Sequence, residues 1–162
     1  YTLWHTLSLH DALPIFSEGR GTTRPFETIG APWIDAERLR EELAAAALPG
    51  VIFSVADFTP TFSKFSGEAC RGVQLHVTDP QRLRPLRSGV HLLATIRAHD
   101  PGRFSWRPLR QDRSRSFMDW LAGGSGFRHA LDAGATAEEA YNMLCDNADL
   151  FDRRRRSVLH YA

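Results

Sequence analysis

A polar loop near the start of the chain combines residue types that suit an anionic or sugar ligand. Within residues 17–27, Gly19 and Gly21 flank Arg20, and Thr22 and Thr23 follow. Glycines let the backbone approach a ligand closely, and a guanidinium presents a planar fork of donors to a carboxylate. The alternative is a tight structural turn in which Arg20 pairs with a neighbouring carboxylate, from Glu18 or Glu27.

Aromatic and hydroxyl side chains alternate in a second loop, residues 58–65. The rings are those of Phe58, Phe62 and Phe65, and the hydrogen-bonding groups are those of Thr59, Thr61, Ser63 and Lys64. Rings beside a few polar groups are typical of a pocket that binds a small ligand such as a sugar. A loop that simply packs on a core has the same composition, and this alternative stays open.

Gln74 and His76 are two residues apart in a segment that alternates apolar and polar residues, 72–78. Side chains on a strand alternate between faces, so both project on the same side. They are candidates for the floor of a pocket, although a strand histidine with a purely structural hydrogen bond has the same pattern.

Several other kinds of chemistry have no local motif in this sequence. It contains no Gly-x-Ser-x-Gly elbow, phosphate loop, dinucleotide fingerprint or His-Glu-x-x-His pair. Cys70 and Cys145 fit no metal spacing and no disulfide framework. The run of four arginines at 153–156 is typical of a solvated helix end. We therefore expect no metal and no cofactor.

Composition narrows the class of protein further. The 162 residues are 43% hydrophobic and have a formal net charge of +1, which indicates one globular domain and argues against a nucleic-acid partner. Apolar runs are too short for a membrane-spanning helix, which needs about 18 residues.

The predicted elements are several helices and two strands. Asp35 caps a helix over 36–47, strands cover 51–56 and 72–78, and a helix follows Pro85 to about residue 98. Residues 104–115 are predicted as a surface loop, with short helices at 116–121 and 127–132. Thr136 and Glu139 form a capping box for a last helix that reaches about residue 155. This order predicts an α/β or α+β fold with a small mixed sheet and several helices.

Residues 1–16 differ in composition from the rest of the chain. Their stretch SLHDALPI resembles a translated sequencing adapter, so we expect residues 1–16 to be an artefactual leader outside the fold. The same interpretation predicts that the natural protein continues upstream of Ser17.

Three segments in order, SEGRGTTRPFE, IGAPWID and FTPTFSKFSGEACRGVQLHVTD, resemble the C-terminal half of the NamZ-type exo-β-N-acetylmuramidases, a bacterial glycosidase family formerly described as a domain of unknown function. The resemblance covers Ser17 to Tyr161. It implies release of N-acetylmuramic acid from the non-reducing end of peptidoglycan fragments, by a bacterial protein that is secreted, periplasmic or active in cell-wall recycling.

The resemblance also implies a domain organisation. Members have an N-terminal Rossmann-like domain and a smaller C-terminal α/β domain, with the active site between them. Residues 17–34 then correspond to an active-site loop and linker, and residues 35–162 to the C-terminal domain. The principal catalytic carboxylate is expected in the missing half, so this polypeptide alone is expected to be inactive.

The implied substrate suggests a role for each candidate residue. Arg20, and secondly Lys64, would bind the lactyl carboxylate of N-acetylmuramic acid. The hydroxyl and acetamido groups would be bound by Thr22, Thr23, Thr61, Gln74 and His76. Glu27 is the first candidate for a second catalytic carboxylate, ahead of Glu18 and Glu68. Two alternatives remain: a non-catalytic cell-wall sugar-binding module, and an Arg-rich nucleic-acid binder whose affinity would fall steeply with salt.

Overall fold

The structure is a computed structural model that describes residues 16–108, 116–145, 148–156 and 158. The predicted leader, apart from Phe16, lies outside the described residues, as does the second half of the predicted surface loop at 109–115. The side chains of residues 148–150 also lie outside this description.

A three-stranded antiparallel sheet forms the first part of the fold. Its strands are β1 (Thr28–Ala31), β2 (Val51–Phe58) and β3 (Cys70–Val77), in the order β1-β3-β2. Thr28 pairs with Gln74 on one side of β3, and Val51 pairs with Val77 on the other. Since β1 and β2 both run antiparallel to β3, they are parallel to each other, with helix α1 (Ala36–Ala45) between them in sequence, as in a split βαβ unit.

The prediction of a small sheet with several helices is confirmed, with two corrections of detail. Both strand pairs in the described residues are antiparallel, because β2 and β3 form a hairpin that places β3 between β1 and β2. Strand β1 was not predicted, since its glycine and its four-residue length gave no strand pattern. A Cβ atom on Gly72 would lie 2.0 Å from the carbonyl oxygen of Ile29, so glycine is needed where β3 meets β1.

Helix α1 (Ala36–Ala45) packs against β2 and β3, and the longer α2 (Pro85–His99) packs against α1. Asp35 caps α1 as predicted, because its Oδ1 accepts from the backbone N–H of Arg38 at 3.1 Å. Leu39 and Leu43 are buried one turn apart. The helix ends two residues earlier than predicted, and Ala47 then adopts a left-handed conformation with φ of 47°.

Four shorter helices follow in the described part of the chain: α3 (Phe117–Leu121), α4 (Gly126–Asp132), α5 (Ala137–Cys145) and α6 (Ala148–Arg156). The predicted capping box starts α5, with the Glu139 N–H donating to Thr136 Oγ1 at 3.2 Å and the Thr136 N–H donating to Glu139 Oε2 at 2.8 Å. The predicted single helix to residue 155 is two helices, and residues 146–147 between them lie outside the described residues.

The main hydrophobic core lies between the sheet and the helices. Its fully buried members include Phe16, Ile29, Leu39, Val73, Leu93 and Ile96. Phe16 has no exposed surface, and the neighbouring Ser17 N–H donates to the Gly30 carbonyl at 2.7 Å. The fold therefore includes Phe16. No helix in the described parts of the chain is long and apolar enough to cross a membrane.

Candidate functional site

The two polar loops that the sequence singles out lie in direct contact. The carbonyl oxygen of Gly21 accepts from the backbone N–H of Thr61 and from its Oγ1, both at 3.0 Å. Gly21 has a φ of 81°, and a Cβ atom there would lie 2.7 Å from the backbone nitrogens of Thr61 and Phe62. In the structure the second loop extends over residues 59–69, because Phe58 ends β2 and Cys70 begins β3. The first loop (residues 17–27) can approach it this closely only because position 21 is glycine.

Glu18 connects the same two loops through ion pairs. Its side chain is 2% exposed, with Oε1 lying 3.0 Å from Arg20 Nε and Oε2 lying 2.8 Å from Lys64 Nζ. A buried carboxylate is costly unless it is paired, so the two cations and the carboxylate stabilise one another's positions. Both oxygens of Glu18 are engaged in this way.

A pocket of about 660 Å³, called the main pocket below, has this cluster in its lining. Its lining residues are Glu18, Arg20, Ser63, Lys64, Ser105, Trp106, Arg107 and Pro108. The Trp106 ring is fixed in place because its indole N–H donates to Asp132 Oδ1 at 2.8 Å and because Phe104 packs edge-on against it. The pocket thus combines three cationic side chains, one carboxylate, two hydroxyls and an aromatic surface.

A side pocket of about 390 Å³ lies next to the main one. It is lined by Arg20, Gly21, Thr22, Pro25, Phe26, Thr61 and Phe62. Arg20 lines both pockets, and its guanidinium carbon lies 5.1 Å from the centre of the Phe26 ring, within range of a cation–π interaction. Arg20 therefore forms the wall between the two pockets.

Backbone strain is concentrated in these loops. Four residues other than glycine have positive φ among the described residues, and three of them lie here: Phe26 at 67°, Ser63 at 74° and Phe65 at 55°. The left-handed region is unfavourable for side chains of this size and persists only where surrounding contacts impose it. Such residues cluster at functional sites, which supports a binding role for the two loops.

The predicted site residues divide into three groups. Arg20 and Lys64 line the main pocket, and Thr22 and Thr61 line the side pocket. Thr23 is exposed on the first loop. Glu27 lines neither pocket, and its Oε2 accepts from Arg24 Nη1 at 3.4 Å in an exposed pair.

Gln74 and His76 lie on the same face of β3, as predicted, and neither lines the two pockets. The Nε2 atom of His76 lies 2.8 Å from Ser54 Oγ on the neighbouring strand. This hydrogen bond matches the structural alternative for a strand histidine.

Sequence reasoning missed the central place of Glu18 and the contribution of residues 105–108. The pairing of Glu18 with Arg20 could be predicted, because the two residues are two positions apart. The contact of Glu18 with Lys64 could not, because it spans 46 positions. Trp106 and Arg107 occur in a stretch with no periodicity, so nothing local connected them with the first loop.

The Cys70 thiol is buried at the start of β3. Burial, with a smaller effect from the nearby Glu68 charge, raises the pKa of the Cys70 thiol to about 11, so this thiol is protonated at neutral pH. Within the described ranges, no three histidine, cysteine or acidic side chains are grouped to hold a metal ion.

Comparison with known proteins identifies the family. The model of the family "Exo-beta-N-acetylmuramidase NamZ, C-terminal" matches residues 3–161. A curated relative, the peptidoglycan β-N-acetylmuramidase NamZ of Bacillus subtilis, is 40% identical over 145 residues, which are 90% of this chain and 34% of the relative. The chain thus spans about a third of the length of that protein.

A solved structure shows the same fold. The crystal structure of a DUF1343 family protein from Bacteroides fragilis superposes with a TM-score of 0.85 and 24% sequence identity, covering 99% of this chain and 42% of the other. The match of the family model over nearly the whole chain confirms the resemblance seen in the three sequence motifs. This chain belongs to the family of the C-terminal domain of exo-β-N-acetylmuramidase NamZ.

Proposed function

We propose that this chain is part of a glycoside hydrolase that releases N-acetylmuramic acid from the non-reducing end of peptidoglycan fragments. The family and the name of the Bacillus subtilis relative support this activity. The single observation that carries the proposal within this chain is the pair of cations, Arg20 and Lys64, held at one pocket by the buried Glu18.

The chemistry of the main pocket suits the substrate. N-acetylmuramic acid differs from other N-acetylated sugars in its lactyl carboxylate, and the pocket offers cations for this group. Arg107 adds a third positive charge to the lining. The Trp106 ring offers an apolar surface for the C–H face of the sugar.

The proposed ligand also contacts hydrogen-bonding groups outside the main pocket. Thr22, Thr23 and Thr61 lie on the two loops and are proposed to meet its hydroxyl groups. Gln74 and His76 are proposed to meet the acetamido group of a ligand that extends over their face of the sheet.

Catalysis is proposed to need a part of the protein outside this chain. Hydrolysis of a glycoside normally uses two carboxyl groups, and Glu18, the carboxylate that lines the main pocket, has both oxygens in ion pairs. We therefore propose that the longer protein supplies the principal catalytic carboxylate and that this chain is inactive alone.

Glu27 is the proposed second catalytic carboxylate. One substitution tests this role. The substitution is made in a chimera with the longer relative, described below. A role in proton transfer predicts that Glu27→Gln lowers the turnover rate of this chimera by about 100-fold. A role limited to the exposed pair with Arg24 predicts an unchanged rate, and Arg24→Gln is the matched control.

The activity is best tested with a chimera. The C-terminal third of the Bacillus subtilis relative is replaced by this chain, and release from a chromogenic N-acetylmuraminide is measured for the chimera and for this chain alone. We expect turnover by the chimera, none by the chain, and a raised KM in the Arg20→Gln chimera. A folded chimera without activity would refute the proposed activity, and turnover by the chain alone would refute the claim that it is inactive.

A second candidate function is a non-catalytic module that binds cell-wall sugars. The ion pairs of both Glu18 oxygens favour this alternative. Glu18 is then unavailable for acid–base catalysis, while the main pocket can still bind a sugar. This alternative predicts that the chain binds N-acetylmuramic acid but that a folded chimera does not cleave the substrate.

A further inference from the structure

The side pocket opens beside the main pocket and shares Arg20 with it. Phe26 and Phe62 are its aromatic residues, and Phe62 is 60% exposed although it is a large apolar side chain. An exposed ring costs solvation free energy unless something covers it in the functional state. The side pocket is therefore a candidate for a second binding surface.

The hydroxyl groups of this pocket are oriented towards the protein. Thr22 Oγ1 donates to the Gly19 carbonyl at 2.7 Å, and Thr61 Oγ1 donates to the Gly21 carbonyl at 3.0 Å. Both hydroxyls thus donate within the protein, and Thr22 Oγ1 also accepts from the Arg24 N–H at 3.1 Å. Towards a ligand the two hydroxyls act as acceptors, beside the two rings and the Arg20 guanidinium. Such a wall fits the apolar C–H face of a sugar whose own hydroxyl or amide groups act as donors.

The lining residue that the two pockets share indicates which ligand the side pocket binds. Arg20 lines both pockets, so a ligand whose carboxylate meets Arg20 from the main pocket continues over the guanidinium into the side pocket. We infer that the side pocket is a subsite for the sugar ring bonded to the N-acetylmuramic acid, with Phe62 as its specificity-determining contact. This inference rests on the proposed function.

The shape of the subsite is fixed by the fold of the first loop. Phe26 has its positive φ imposed by the hydrogen bond from its N–H to the Glu18 carbonyl, at 2.7 Å. The Gly21 contacts hold the opposite wall, which carries Thr61 and Phe62. A pocket with walls fixed before binding loses less entropy when a ligand is ordered in it.

The test compares ligands of one and two sugar rings. N-acetylmuramic acid, its β-1,4 disaccharide with N-acetylglucosamine, and neutral diacetylchitobiose are each titrated into the full 162-residue chain, followed by amide NMR shifts. The variants are Phe62→Ala and, as matched control, Phe151→Ala, because Phe151 is similarly exposed at 67% and lines neither pocket.

We expect the anionic disaccharide to bind about tenfold more tightly than the monosaccharide, as one aromatic contact allows. Phe62→Ala should remove this advantage and leave monosaccharide binding unchanged, whereas Phe151→Ala should keep both. Equal affinity of the two anionic ligands for the wild-type chain would overturn the subsite while leaving the proposed function in place.

The neutral disaccharide separates the two proposals. If only diacetylchitobiose shifts the signals of Phe26 and Phe62, the subsite stands and the assignment of N-acetylmuramic acid fails. If none of the three ligands binds, both are overturned.

Discussion

The ammonium group of Lys64 lies 2.8 Å from a carboxylate oxygen of Glu18, although 46 positions of chain separate the two residues. Arg20 approaches the other oxygen of the same carboxylate. One buried acidic side chain thus fastens the second loop to the first and sets the position of both cations at the main pocket.

Replacement of this carboxylate should destabilise the protein. Glu18→Gln leaves Lys64 and Arg20 close together without their counter-charge, and we expect a loss of roughly 1–3 kcal/mol, limited by the partial exposure of the cations. Urea denaturation followed by circular dichroism measures the change. Glu68→Gln, an exposed position in the second loop, is the control, and an equal effect of both substitutions would contradict the assigned role of Glu18.

Gly21 and Gly67 have the same backbone conformation but different surroundings, so alanine substitutions there measure the cost of backbone strain and the cost of close contact separately. Gly21 and Gly67 both have a φ of 81°, but a Cβ atom on Gly67 would have no neighbour within 4 Å. We expect Gly67→Ala to cost about 1 kcal/mol through the left-handed conformation alone. Gly21→Ala should cost about 1–2 kcal/mol more, since it pushes the loops apart. Equal unfolding free energies for the two variants would show that the loops separate without cost.

The ion pair between Asp119 and Arg128 should make stability depend on acid pH. Arg128 Nε and Nη2 donate to the two Asp119 oxygens at 2.8 and 3.0 Å, and these bonds lower the pKa of Asp119 from its usual value. Because the folded pKa is depressed, this stability is present above the pKa of an unfolded aspartate, about 3.9. It is lost as the pH falls through the folded pKa.

The Arg128→Met variant tests this dependence. Asp119 is buried at the start of α3, so removal of its cation should cost roughly 2–4 kcal/mol at pH 7. The difference from wild type should shrink when unfolding is measured at pH 2–3. Arg103→Met, which breaks an exposed pair with Asp100, should have a small effect. A difference that stayed constant with pH would exclude the pair as its cause.

The two thiols should react with alkylating reagents at different rates. Because burial raises the pKa of Cys70 to about 11, its thiolate fraction at pH 8 is lower than that of an ordinary cysteine by a factor on the order of 100. We expect Cys145, which is less buried, to be modified first by iodoacetamide. Peptide mapping by mass spectrometry measures both rates, and the difference should vanish in urea. Rapid modification of Cys70 in the folded protein would refute the prediction.

The sequence predicts correctly those helices and faces that depend on residues close together in the chain. The carboxylate of Asp35 and the spacing of Leu39 and Leu43 define the start and the buried face of α1 within one stretch of sequence. The capping box of Thr136 and Glu139 is likewise contained in four residues. The shared face of Gln74 and His76 follows from the alternation of a single strand. These predictions needed no information about the rest of the fold.

The site could be predicted only as separate parts. Strand β1 exists because β3 supplies its hydrogen-bonding partners, and a four-residue segment containing Gly30 carries no such signal by itself. The Glu18–Lys64 pair and the wall formed by Trp106 depend on contacts between segments far apart in sequence. The two loops were predicted from their composition, whereas the contact between them depends on the tertiary fold.

The position of Arg20 between two pockets has a consequence for evolution and engineering. A substitution there alters the main and the side pocket together, so the proposed preferences for the acid and for the adjoining ring cannot be adjusted independently at that residue. Lys64 lines the main pocket alone, and Phe62 lines the side pocket alone. Libraries that vary positions 62 and 64 and keep Arg20 fixed would therefore search the two preferences as separate traits.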